Sequence, residues 1–146
     1  TGCSPVTTAI KNGSENIIPV KPNTIAKSIA IGNPADGYYG IKTANASGGY
    51  GEDISDEEIV SAMKLLAETE GVFTETAGGV TVGVTQKLVQ QGRIKPDEVT
   101  VICITGNGLK TQEALADCFS APAVIEAKID SFEEIFSNDL ALNGLH

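Results

Sequence analysis

Histidine and cysteine are scarce in this chain, and positive charge is outweighed by negative. One histidine and three cysteines, Cys3, Cys103 and Cys118, are spread over 146 residues, with no CxxC pair and no neighbouring histidine cluster. An odd, scattered set of this kind argues against a disulfide framework and against a zinc site, and no metal ligands are expected. Lys and Arg total 10 against 19 Asp and Glu, for a formal charge of -9. An acidic chain of this composition repels nucleic acid and anionic lipid, and no local basic patch offsets the balance. Reduced thiols, and the want of a secretory or membrane-spanning apolar segment, lead to the expectation of a cytoplasmic location.

Apolar material is in ordinary supply. At 41% hydrophobic content the chain has enough for one core, so one domain or subdomain is the bound. Its opening, Thr1-Gly2-Cys3-Ser4-Pro5-Val6, reads as a strand-to-helix junction already in progress, which is expected of part of a longer polypeptide. No internal repeat is found.

The stretch Val99 to Thr111, VTVICITGNGLKT, organises the rest. Val99 to Ile104 is a short, uncharged, mostly β-branched run, the pattern of a strand buried on both faces of a parallel sheet. Thr105, Gly106, Asn107 and Gly108 then end it in a loop whose backbone is free to bend sharply. Ligands in open α/β sheets bind at the carboxyl ends of strands, which makes Thr105 the first candidate contact. Cys103, inside the run, is expected to pack as a small hydrophobe.

The other elements follow from caps and periodicity. Ser4 and Pro5 predict a helix to about Lys11, ended by Asn12-Gly13-Ser14. Ile17 to Val20 reads as a short extended piece, Ile25 to Ala30 as a helical turn capped by Asn23 or Thr24, Gly37 to Ala46 as a helix with Tyr38, Ile41 and Ala44 on one side, and Tyr50 to Ile54 as a short strand. Ser55-Asp56-Glu57-Glu58 is a capping box, followed by the stripe Ile59, Ala62, Met63, Leu66 and Ala67 and the stop Gly71. A further helix is expected from Ala77 to Gln91 with Val80, Val84 and Leu88 in its stripe, its small residues Ala77, Gly78, Gly79 and Gly83 allowing close approach of a neighbour or a ligand. Beyond Lys110 come a short helix, Thr111 to Cys118, and an edge segment, Ala121 to Ile125. A last helix opened by a second capping box at Ser131 carries Phe132, Ile135 and Phe136 on one side, with fraying from Asn138 to His146.

Thr105-Gly106-Asn107-Gly108-Leu109-Lys110 resembles the T-G-H-G-L-K segment of threonine synthases, pyridoxal-phosphate enzymes of the fold-type II group. Ala26 to Pro34 is similar to the family's A-I-x-I-G-N-P segment, and Glu75 and Ala77 match its E-P-A-S-A or E-P-A-G-A element. The resemblance covers about Thr1 to Thr111, with the tail from residue 112 to 146 poorly matched. Asn107 stands where histidine is usual, Thr76 where proline is usual and Thr111 where aspartate is usual. Asn107 does not titrate, which excludes proton transfer by a histidine there.

The resemblance implies an α/β fold, the three-layer, parallel-sheet part of a fold-type II enzyme, with residues 1–146 its carboxy-terminal portion. It implies pyridoxal 5'-phosphate as cofactor and conversion of O-phosphohomoserine and water to threonine and phosphate. Thr105 then falls where a hydroxyl donates to the unprotonated pyridine nitrogen, giving a weaker electron sink than an aspartate partner would. Gly32, Asn33, Glu75, Gly106 and Asn107 are expected to line the pocket, against the plainer readings of a turn at Gly32-Asn33-Pro34 and a surface ion pair at Glu75. No segment matches the family's cofactor-anchoring lysine motif or its cofactor-phosphate loop, and neither Lys27, Lys42 nor Lys110 takes that role. Without catalytic residues of its own, the chain alone is expected to be inactive. A threonine or serine dehydratase fragment and a non-catalytic α/β module that binds a small anion or serves assembly are the alternatives, T-G-N-G-L-K favouring the synthase over the dehydratases' S-G-G-N. Oligomeric state is left open, a homodimer being one option.

Overall fold

The computed structural model describes residues 1–143, with side chains to residue 137. Among them five α-helices carry the regular structure: α1 (Pro5–Lys11), α2 (Gly37–Ser47), α3 (Asp56–Glu70), α4 (Thr76–Gln90) and α5 (Ile129–Asn143). Three 3-10 turns, Lys27–Ile29, Gly108–Lys110 and Gln112–Cys118, link them. The chain divides into two compact units, Thr1–Ala116 and Asp117–His146. None of the described helices is long and apolar enough to cross a membrane.

In the larger unit α3 packs on α4 and α1 on α2. Helix α3 starts where the capping box places it: Ser55 Oγ accepts from the Glu58 N–H at 3.2 Å, and Glu58 Oε2 accepts from the Ser55 N–H at 2.6 Å. It stops at Gly71, whose φ of 66° is a left-handed conformation that a side chain disfavours. Ile59, Ala62 and Met63 are buried along its inner face and join Ala26, Ile54 and Leu115 in the core.

The face that α4 turns inward differs from the expected stripe. Gly78, Gly79, Val82 and Gly83 are buried, whereas Val80 and Val84 lie partly buried at the margin and Leu88 is half-exposed. A Cβ on Gly79 would stand 2.6 Å from Met63 Cγ and 2.9 Å from the Ile59 carbonyl oxygen, so two helices meet here at a distance only glycine permits. Hydropathy patterns weight bulk, and the closest approach is made by residues that have none.

Among the described residues no β-strand forms; one isolated antiparallel bridge joins Thr74 and Asn107. The Val99 to Ile104 run is instead unpaired and open to solvent, Val99 at 97% and Val101 at 82% exposure. Its expected burial is therefore not met within this chain, and Cys103 is exposed rather than packed. The reason is the lack of a neighbouring strand: a single extended segment has no partner for its peptide groups. Tyr50 to Ile54 and Ala121 to Ile125 are likewise without strand pairing, and Ile17 to Val20 makes one backbone bond, Val20 N–H to the Gly32 oxygen at 3.0 Å. At the end of the chain α5 begins at Ile129, so Ser131 lies inside its first turn instead of capping it, and the helix runs on through Asn143 in place of fraying from Asn138. Residues 144–146 of that expectation lie outside the described residues.

Candidate functional site

Four of the six candidate residues come together at the amino end of α4. The segment Phe73 to Thr76 and the loop Thr105 to Thr111 are stitched by a ladder of short-range bonds. Gly108 N–H donates to the Phe73 oxygen at 3.0 Å, and Glu75 N–H donates to the Gly106 oxygen at 3.1 Å. Thr74 Oγ1 gives a second donor to the same Gly106 oxygen at 3.2 Å. Within the loop, Asn107 Oδ1 accepts from the Leu109 N–H at 2.9 Å, so this side chain shapes the turn that follows it.

Neighbouring side chains fill the space beside both loop glycines. The space a Cβ would need at Gly106 is held by the Glu75 carboxylate, and at Gly108 by the Phe73 ring. Glu75 itself is 5% exposed and makes no side-chain cap to α4. Its Oε2 lies 3.0 Å from Lys110 Nζ yet accepts no well-aligned hydrogen bond. Burying a carboxylate costs several kcal/mol unless it is paired, about 3–5 kcal/mol when the partner of a buried pair is removed, so Lys110 is the counter-charge on which this residue depends. Glu75 is thus one half of an ion pair, with its carboxylate buried instead of lying at the surface as the plainer reading had it.

Thr105 is exposed, at the end of the open apolar run and beside the fixed Gly106. It is not shut in the core, and it is absent from the linings of the concave surfaces formed by α3, α4 and the Ile102 to Ile104 segment. Gly32 and Asn33 lie elsewhere. The Gly32 oxygen accepts from Val20, its Cα is pressed against the Val20 carbonyl, and Asn33 is exposed; none of the described contacts ties either residue to the Glu75 and Thr105 group.

Two residues that sequence reasoning counted as departures meet in this structure. Thr76 N–H donates to Thr111 Oγ1 at 3.1 Å, both residues being buried. A proline at position 76 has no N–H to give, and an aspartate at 111 would there have no amide to accept from. In this chain the Thr76 amide is satisfied by the Thr111 hydroxyl, which joins the first residue of α4 to the residue after the Gly108–Lys110 turn. Lys110 closes the T-G-N-G-L-K segment, and the sequence denies it only the cofactor-anchoring role. Only the turn at Gly108–Lys110 brings it back to Glu75, and a loop reversal of that kind leaves no periodic signal.

A second charged group lies apart from this loop. Lys11 of α1 pairs with Glu52 and, at 2.6 Å, with Asp53, while Gln91 donates to Glu52 Oε2 at 2.7 Å and Lys87 to the Asp53 carbonyl at 2.7 Å. The Lys11 ammonium and then the Gln91 amide pull the Glu52 carboxyl down to about 2. Asp53 and then Glu52 raise the Lys11 pKa above its ordinary value. The cluster ties α1 and α4 to the segment before α3, and its charges satisfy one another. Among the described residues no group of three or more His, Cys, Asp or Glu is arranged to hold a metal ion.

Against known proteins, the sequence model of a family described as "Pyridoxal-phosphate dependent enzyme" matches residues 1–106. The chain is 39% identical to the threonine synthase of Methanocaldococcus jannaschii over 135 residues, 92% of this chain and 33% of that protein. It is 41% identical to the threonine synthase of Methanosarcina acetivorans over 135 residues, 91% of this chain and 33% of that protein. With the threonine synthase of Bacillus sp. strain ULM1 the identity is 47% over 90 residues, 62% of this chain and 26% of that protein. The chain spans about a third of the length of the first two relatives.

Proposed function

Since the chain belongs to the family of pyridoxal-phosphate dependent enzymes, we propose that it is the carboxy-terminal part of a threonine synthase, an enzyme that makes threonine and phosphate from O-phosphohomoserine and water. The likeness to two threonine synthases and the Thr105 to Lys110 segment favour this reading over a dehydratase. The observation that carries it is Thr105: an exposed hydroxyl, at the tip of an apolar run, beside a glycine whose backbone is held from two sides.

That arrangement fits one contact of the cofactor. Bound pyridoxal phosphate supplies an electron sink for bond breaking next to an amino-acid carbon. Thr105 would donate its hydroxyl proton to the ring nitrogen, and a neutral donor leaves that nitrogen unprotonated where a carboxylic acid would protonate it. Gly106 and Gly108 keep the loop free of side chains, with Asn107 holding the turn. The residues that anchor the cofactor and bind its phosphate are assigned to the remaining two thirds of the enzyme.

The sheet belongs to the same reading. Ile102 and Ile104 line the apolar groove between α3 and α4, while Val101 faces solvent, the period-two alternation of a strand covered by helices on one side. We assign Val99 to Ile104 to a parallel sheet whose neighbouring strands and second helical layer come from the rest of the enzyme, which yields the three-layer α/β architecture. The parent enzyme is then cytoplasmic, with pyridoxal phosphate and O-phosphohomoserine as small-molecule partners, no nucleic-acid or membrane partner, and a homodimer as the assembly to test.

The experiment joins this chain to the amino-terminal two thirds of the Methanosarcina acetivorans relative, expressed together with pyridoxal phosphate. Phosphate release from O-phosphohomoserine is assayed beside ketoacid formation from threonine. Threonine and phosphate from the joined pair, none from the chain alone, and a loss of at least about tenfold in Thr105→Val are expected. Ketoacid alone would replace the reading by the dehydratase, and no product from either substrate would leave the chain as a non-catalytic module.

A further inference from the structure

We propose that Glu75 and Lys110 are positioning residues: their ion pair latches the Thr105 to Thr111 loop onto the start of α4 and so sets where the Thr105 hydroxyl stands. The inference rests on the reading of Thr105 as a cofactor contact and adds to it the pair of charges that aims this side chain.

Three observations carry it. The Glu75 carboxylate is buried yet serves no cap on α4, although it occupies the capping position, so the helix does not account for it. It is pressed against Gly106, the residue that follows Thr105, and Glu75's own N–H holds the Gly106 oxygen from the same side. The charge that answers it comes from the far end of the same loop, where Lys110 Nζ approaches to 3.0 Å. The loop is therefore gripped at its first glycine and again at Lys110, near its far end, by one pair. Lys110 is 62% exposed at its side chain while the Glu75 side chain is 7% exposed, so the pair is opened from the solvent side and its loss strands the buried partner.

Thr105 follows a run that pairs with no strand among the described residues, so no sheet neighbour fixes where its hydroxyl stands. The Asn107 side chain and the Thr111 hydroxyl shape the later part of the loop, so at its start, next to Thr105, the backbone is held by the ladder to Phe73, Thr74 and Glu75. A charge pair across the loop turns that short ladder into one held unit.

The test uses the 146-residue chain, without cofactor, in wild-type form and as Lys110→Met, Lys110→Arg and the charge-exchanged Glu75→Lys/Lys110→Glu double variant. Amide hydrogen exchange is read at Glu75 and Gly108, the two ladder donors, with the α3 amides around Met63 as internal reference, and Thr105 methyl relaxation is read beside it. In Lys110→Met, exchange at Glu75 and Gly108 should quicken about tenfold, between the small effect of an exposed pair and the large one of a buried pair, with α3 unchanged and Thr105 more mobile. Lys110→Arg should restore all three readings. Unchanged exchange at the ladder, or a Thr105 methyl indifferent to Lys110→Met while the ladder loosens, would overturn the proposal; so would failure of Lys110→Arg to restore it. The exposed position of Lys110 keeps the folded state accessible where the double variant is lost. No cofactor enters these readings, so the latch and the threonine synthase assignment fail separately.

Discussion

Helix α3 and the Val99 to Ile104 run are both rich in apolar residues, yet α3 buries its inner face while Val99 and Val101 stand in solvent. Along α3, Ile59, Ala62 and Met63 find α4 within the same chain, and each falls to 2% exposure or less. Val99 and Val101 find nothing, and stand above 80% exposed. The difference is one of partner, not of composition. A helix satisfies its own peptide groups and needs only an apolar surface to lie against, whereas a strand needs neighbours along both edges as well. Apolar patterning reports that a segment is to be covered; it does not say that the cover lies in the same piece of chain.

That contrast is open to direct attack, beginning where the effect is largest. Met63→Ala removes a fully buried side chain at the tightest point of the α3 and α4 contact, and should cost about 3 kcal/mol in urea unfolding. A loss under about 1 kcal/mol would mean that α3 is no better anchored than the open run. Thr111→Val tests the loop that joins the two regions. It leaves the buried Thr76 N–H without its acceptor and should cost about 2 kcal/mol, whereas Thr76→Pro combined with Thr111→Val removes donor and acceptor together and should recover most of that loss in a double-mutant cycle.

Acid titration is expected to act on the helical region alone. The folded Glu52 carboxyl sits at about 2, below its ordinary value of 4.5, so its contribution is present above pH about 4.5 and is lost as pH falls toward 2. Thermal melts across that interval should show a fall in midpoint that Lys11→Met flattens. Smallest of all, Val101→Lys should change the stability of this chain by no more than about 0.5 kcal/mol, since the residue is already in water. The same substitution should block assembly with the amino-terminal two thirds of a relative, read as loss of the co-purifying complex. A strongly destabilised Val101→Lys chain would break the comparison.

What the sequence disclosed follows from the same physics. The Ser55 cap, the α3 stripe and the Gly71 stop are local, and each is found where its residues predict it. On α4 the expected stripe of Val80, Val84 and Leu88 missed the inward face, whereas the small residues expected to admit a close neighbour do so at Gly79 and Gly83. The second capping motif at Ser131 fails because α5 has already begun at Ile129. At the site, Glu75 meets the loop of Thr105, Gly106 and Asn107, whereas Gly32 packs against Val20 and Asn33 is exposed. Lys110 was illegible because it depends on a reversal of the loop that no spacing rule encodes.

The Thr76 and Thr111 bond also decides what the start of α4 tolerates. Its donor is a peptide N–H, which every residue but proline carries, while its acceptor is a side chain, so the requirement falls on position 111. Any residue able to accept there satisfies the buried amide, and a purely apolar one strands it.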